Sequence, residues 1–233
     1  MRDAGLREFY DRTYHFGEDA DRPNPDRLWR ALRELGPLEG TRFLDLGCGV
    51  GWATRLAAER GQVAQAVGLD FSRTALALAA RAPRAAPTAD GRAGRTGPAS
   101  VPIAWVCGDG LALPFPDDSF DRVFSFGSME HFPDVAAGFG ELARVLRRGG
   151  CAVTVVPNFY VRTAQPVEHR ATARGWRTLI ERAGLQVTRM TGDPGPAIFK
   201  NRRPGRIALR LGLRLVGSLP PLRYQFIVAL RKP

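Results

Sequence analysis

The chain has 233 residues, 34 of them Lys or Arg and 23 Asp or Glu, for a formal charge of +11. Hydrophobic residues at 44% and charged residues at 24% match a folded globular chain and exclude a disordered or collagen-like one. No apolar run approaches the ~18 residues of a transmembrane helix, and three cysteines without a CxxC pair exclude a disulfide framework or cysteine-based metal site.

The opening stretch MRDAGLREFYDRTYHF is charged throughout and lacks the apolar core of a signal peptide, so a cytoplasmic location is expected. Lys200 and Lys232 are the only lysines; arginine carries nearly all the positive charge. In a chain rich in Ala, Gly and Pro this reads as coding bias in a GC-rich genome, and net charge alone names no partner.

Residues 1–40 read as a helical cap. Asn24-Pro25-Asp26 marks a helix start, with Asn as cap and Asp at the positive end. Leu28, Leu32 and Leu35 form an apolar stripe that Gly36-Pro37 ends. From residue 41 to 233 strands alternate with helices. Strands are expected over Thr41–Leu46, Val63–Leu69, Val101–Val106, Asp121–Phe126 and Ala152–Val156. Helices are expected over Trp52–Arg60, Ser72–Arg81 and Val135–Arg147, with Gly149-Gly150 as a turn into the fifth strand. Short apolar strands separated by helices imply an α/β fold, a parallel sheet covered on both faces. Residues 82–100 lack apolar periodicity and read as a flexible surface insertion. The tail adds a helix (Trp176–Ala183) and strands at Leu185–Met190 and Tyr224–Leu230. Before the last strand, a helical insertion over about 202–219 puts Arg206, Arg210 and Arg214 on one face of an otherwise apolar helix.

The chemistry concentrates at three strand ends. Asp45-Leu-Gly47-Cys48-Gly49-Val-Gly51 leaves the first strand and enters a helix, and its glycines let backbone approach a ligand. The site lies at the carboxyl ends of the strands, where open α/β sheets bind ligands. Asp70 ends the second strand, where a carboxylate can accept hydrogen bonds from two ribose hydroxyls. Asp109 ends the third, placed to accept from an adenine amino group. The spacing GxGxG differs from the dinucleotide fingerprint GxGxxG, and no P-loop lysine is present. A carboxylate beside such a loop repels phosphate and suits an ammonium or sulfonium.

These segments resemble the class I S-adenosylmethionine-dependent methyltransferases. FLDLGCGVGWAT is similar to the family's first motif, GLDFS to its ribose-binding strand end, and GDGLALPFPDDSFD to its adenine-side loop. DRVFSFGSMEHFPD and ELARVLRRGGCAVTVVPN resemble its fourth and fifth strand regions. The resemblance implies a Rossmann-like seven-stranded sheet, mostly parallel with the last strand antiparallel, and S-adenosyl-L-methionine as cofactor. It implies cofactor contacts from Asp45, Gly47, Cys48, Gly49, Gly51, Asp70, Phe71, Asp109, Gly110, Phe126, Gly127 and Ser128. No metal is expected.

Methylation of a hydroxyl or ammonium also calls for proton removal. His131 follows the fourth strand with a suitable pKa, and Glu130 beside it resembles the active-site glutamate of fatty-acid cyclopropane synthases. His131 as general base and His131 as a loop-orienting residue both stay open. Tyr10, Tyr14 and His169 are candidate acceptor contacts. The expected activity is methyl transfer to oxygen or nitrogen of a small organic acceptor. The rivals are a lipid-linked or quinone acceptor, RNA, and a non-catalytic cofactor binder. RNA is disfavoured because Ser128-Met129-Glu130-His131 stands where an Asn-Pro-Pro-Tyr segment would, and no basic stripe with interleaved aromatics accompanies it. For the helix around 206–216, three roles stay open: a cap over the acceptor, a dimer contact, or peripheral attachment to anionic membrane. A monomer and a homodimer are both compatible with the chain.

Overall fold

The computed structural model describes residues 2–13, 24–82, 101–159, 167–193 and 224–233. In chain order these form α1 (Arg2–Thr13), α2 (Pro25–Arg33), β1 (Arg42–Leu46), α3 (Trp52–Arg60), β2 (Gln65–Asp70), α4 (Arg73–Arg81) and β3 (Ile103–Cys107). Then follow β4 (Phe120–Phe126), a 3-10 turn (Met129–His131), α5 (Val135–Val145), β5 (Leu146–Pro157), α6 (Ala173–Arg182), β6 (Gln186–Asp193) and β7 (Gln225–Arg231). The strands make one seven-stranded sheet in the order β3-β2-β1-β4-β5-β7-β6. The first five run parallel, and β7 lies antiparallel to both β5 and β6.

Side-chain alternation along each strand feeds two cores. Phe43, Phe124, Val153 and Ile227 face α2 and α3, while Leu44, Val123, Val156 and Val228 face α5 and α6. Side chains fix the starts of α2 and α4. Asn24 Oδ1 accepts from the backbone N–H of Asp26 (2.9 Å) and Arg27 (3.1 Å), and Ser72 Oγ accepts from that of Ala75 (3.1 Å). A part-buried ion pair joins α2 to the outer hairpin: Arg27 Nε donates to Asp193 Oδ2 at 2.7 Å, and its guanidinium lies over Phe126.

The fifth strand departs from expectation. α5 ends at Val145 and β5 begins at once with Leu146, six residues before Ala152. Phe120 pairs with Leu146 and Arg122 with Cys151, so Arg147–Gly150 bulge out between two paired stretches. Gly149-Gly150 therefore lies inside the strand; the Gly-Gly signal for a turn marks a bulge here, with Gly149 at φ +71°. α6 begins three residues before Trp176, and β6 and β7 run on to Asp193 and Arg231, extended by their mutual pairing. The 83–100 stretch, the helix around 206–216 and Tyr14 lie outside the described residues. No helix among the described residues is long and apolar enough to cross a membrane.

Candidate functional site

The loop after β1 is pinned to β2 by two backbone bonds, Gly47 N–H and Cys48 N–H both donating to the Leu69 carbonyl at 2.8 and 2.9 Å. Two of its glycines are required by packing. At Gly47 (φ +74°) a Cβ would stand 2.4 Å from Ser128, whose Oγ donates to the Gly47 carbonyl at 2.9 Å. At Gly51 (φ +77°) a Cβ would stand 2.2 Å from the Trp105 indole. Asp70 closes the loop from β2. Its Oδ2 accepts from Gly49 N–H (2.7 Å) and its Oδ1 from Ser72 N–H (2.8 Å). Burial pushes its carboxyl above the usual range, against the pull of these N–H groups.

A crevice opens over the carboxyl ends of β1 to β4. It brings together Tyr10, Gly47, Asp70, Phe71, Asp109, Gly110, Gly127, Ser128 and His131 of the expected residues. The other described ones do not line it. Asp45 is buried and accepts from Thr54 Oγ1 at 2.7 Å, and burial raises its carboxyl to about 7. Cys48 is buried, with its thiol raised by desolvation, so it is inert as a nucleophile. Gly49 and Gly51 shape the loop without lining the crevice, and Phe126 stacks on Phe124 toward the α2–α3 core. His169 is exposed, its ring edge-on to Trp176 at 5.6 Å.

The sequence reading missed Leu6, Arg7 and Asp11 on α1 and Phe132 after the turn that follows β4. Leu6 lines the crevice with Tyr10, one helical turn apart. Arg7 stacks its guanidinium on the Phe71 ring, and Asp11 Oδ1 accepts from Ser72 Oγ at 2.5 Å, latching α1 onto the start of α4. Phe132 fills the space left by two absent side chains; a Cβ on Gly110 or Gly138 would come within 2.3 or 2.5 Å of its ring. The Leu6/Tyr10 spacing was the available signal for α1.

His131 and Glu130 are neighbours with opposite environments. His131 lines the crevice, 6.1 Å from the Tyr10 ring, with Nδ1 2.7 Å from the Val167 carbonyl. Burial lowers its pKa, so the ring is neutral near pH 7. Glu130 turns inward to 4% exposure, and its Oε1 lies 3.9 Å from His131 Nε2. Burial, then the charge of Glu168, raises its carboxyl to about 8. The Tyr10 hydroxyl is pushed up by burial, then by Glu130 and Asp70.

The donor set fits an adenosyl cofactor. Two carboxylates, Asp70 and Asp109, stand at adjacent strand ends to accept from hydroxyl and amino groups, and among the described residues no lysine or arginine lines the crevice to take a phosphate. The family described as Methyltransferase domain matches residues 44–154, the stretch from the glycine loop to β5. Methyltransferase GfsG of Streptomyces halstedii is 31% identical over 225 residues, covering 83% of this chain and 75% of GfsG. The chain belongs to the class I S-adenosylmethionine-dependent methyltransferases.

Within that family, a demethylmenaquinone methyltransferase of Corynebacterium kroppenstedtii is 39% identical over 128 residues, 54% of this chain. The chain spans about half (46%) of that relative's length. A solved S-adenosylmethionine-dependent methyltransferase from Mesorhizobium loti shares the fold at 24% identity, with TM-score 0.61, 89% of this chain and 100% of that one covered. The methyltransferase cofactor is S-adenosylmethionine; Asp70, Asp109 and Gly47 line the crevice and would be the residues to hold it.

Proposed function

We propose that this methyltransferase acts on an oxygen or nitrogen of a small organic acceptor, with His131 taking up the acceptor proton. The bound cofactor supplies an electrophilic methyl group on a sulfonium. The protein's part is then to align the acceptor and receive its proton. The observation that carries the reading is the fixed imidazole of His131 on the crevice wall. Because the Val167 carbonyl can only accept, Nδ1 bears the ring proton and Nε2 keeps its lone pair. Tyr10 faces it from α1, as a wall against which an acceptor packs.

The test is turnover with methyl-labelled S-adenosylmethionine against a panel of alcohols, phenols and amines, alongside S-adenosylhomocysteine binding by calorimetry. Methylated product that disappears in His131→Asn supports the reading. Tight S-adenosylhomocysteine binding without product from any acceptor favours a non-catalytic binder instead.

A second reading, methylation of a lipid-linked or quinone acceptor, is favoured by the likeness to demethylmenaquinone methyltransferase across the cofactor-binding half. Replacing Arg206, Arg210 and Arg214 by Gln and measuring sedimentation with anionic liposomes tests it. Unchanged sedimentation removes it.

A further inference from the structure

Glu130 is a carboxylate that the fold buries with its own backbone N–H as donor and one oxygen left over. Its Oε2 has no hydrogen-bond partner. Among the described residues, the side chain that comes within ion-pair distance is His131, at 3.9 Å, and that imidazole is neutral with its proton committed to Val167. The remaining groups that face it have the wrong sign or are bound elsewhere. Glu168, on the segment before α6, is itself acidic, and Tyr10 on α1 and Tyr224 beside β7 are neutral phenols. Arg170 lies 3.9 Å from Glu168, and Arg27 is bound to Asp193. A glutamine or an apolar side chain would fill this space at less cost, since a buried carboxylate is destabilising until a partner arrives.

Its position says where the partner comes from. Oε1 lies 3.8 Å from the point where a Cβ on Gly127 would stand, and Gly127 lines the crevice wall. Glu130 itself does not line the crevice, and the absent side chain at Gly127 leaves its Oε1 as the one atom within 4 Å of that point. We infer that Glu130 is the seat of a positive charge delivered by a ligand, an onium group bound beside Gly127. The inference rests on the methyltransferase reading of the crevice and deepens it, because two ligands of that reaction can carry such a charge. One is the sulfonium of S-adenosylmethionine; the other is an ammonium on the acceptor.

Calorimetry on the whole chain and on Glu130→Gln separates these sources without requiring turnover. S-adenosylmethionine and S-adenosylhomocysteine differ by the sulfonium charge, and n-butylammonium titrated into the S-adenosylhomocysteine complex probes the acceptor side. Glu130→Gln is expected to weaken one of the two cations by about tenfold, the loss of a charge-assisted contact, while S-adenosylhomocysteine stays within about twofold. Loss confined to S-adenosylmethionine assigns the sulfonium, and loss of n-butylammonium assigns an amine acceptor. If both cations bind the two forms equally while S-adenosylhomocysteine still binds, the inference is overturned and the methyltransferase reading stands. If the unsubstituted chain does not bind S-adenosylhomocysteine, both fall.

A measurement on the unsubstituted chain guards against a misfolded variant. A cation seated on Glu130 displaces its proton, so affinity for that cation rises between pH 6 and 9 relative to S-adenosylhomocysteine. Flat ratios for both cations overturn the inference.

Discussion

The Nδ1 of His131 lies 2.7 Å from the carbonyl oxygen of Val167, so the turn after β4 and the segment before α6 together fix one tautomer of the ring. If Nε2 is the base, His131→Asn should lower kcat by about 10²- to 10⁴-fold, while S-adenosylhomocysteine affinity changes little. The pH dependence follows from the lowered pKa. The ring must be unprotonated to act, and burial favours that form, so kcat at saturating cofactor and acceptor should stay level through pH 7 and fall only below about 6.5. An acid limb centred above pH 7 would contradict the assignment. The measurement is initial-rate release of S-adenosylhomocysteine across pH 5 to 9.

Glu130 makes a separate statement about stability. Its folded-state pKa is raised from 4.5 to about 8, so the folded protein binds a proton that the unfolded chain gives up. Stability from this group is present at acidic pH and lost as pH rises from about 4.5 to about 8. Without ligand, Glu130→Gln should therefore be more stable than the parent by roughly 4–5 kcal/mol at pH 8.5, with little gain at pH 4.5. Urea titrations at the two pH values give the comparison.

Gly51→Ala should be costly for two additive reasons. The left-handed backbone at φ +77° disfavours any Cβ, and that Cβ would meet the Trp105 indole at 2.2 Å. A loss of about 2–4 kcal/mol is expected. Gly51→Ala with Trp105→Leu should recover the packing share and leave the backbone share, which thermal melts of both variants resolve.

Arg27 and Asp193 are 166 residues apart and form a part-buried pair between α2 and the end of β6. Arg27→Met leaves Asp193 as a buried, unpaired carboxylate, for an expected loss of about 3–5 kcal/mol. Adding Asp193→Asn should restore most of it. Equal urea midpoints for the parent and Arg27→Met would show that the pair is inconsequential.

Much of this arrangement is legible in sequence because apolar strands stop where a charged residue must leave the core. That places Asp70 and Asp109 at strand ends without knowledge of the fold, and Asn24-Pro25 similarly marks the start of α2. What escapes is side-chain direction within a correctly placed segment. Asp45 and Phe126 stand on the right strands and point into packed interior. Glu130 and His131 are adjacent, yet the 3-10 turn sends one inward and the other onto the crevice wall. Long-range docking also escapes. The Asp11–Ser72 contact joins residues 61 apart, and no local pattern in α1 announces its target. The β5 bulge was misread because a Gly-Gly pair permits a turn and a bulge alike.

The Asp11–Ser72 latch has a kinetic consequence. Leu6 and Tyr10 line the crevice from a helix fastened at the start of α4, so a nucleoside bound there would lie against α1. Each catalytic cycle trades a charged visitor for a neutral one, and the exchange competes with the hold of one carboxylate on one hydroxyl. Traffic of spent cofactor past α1, rather than the displacement at the methyl carbon, is then a place where the cycle time can be set.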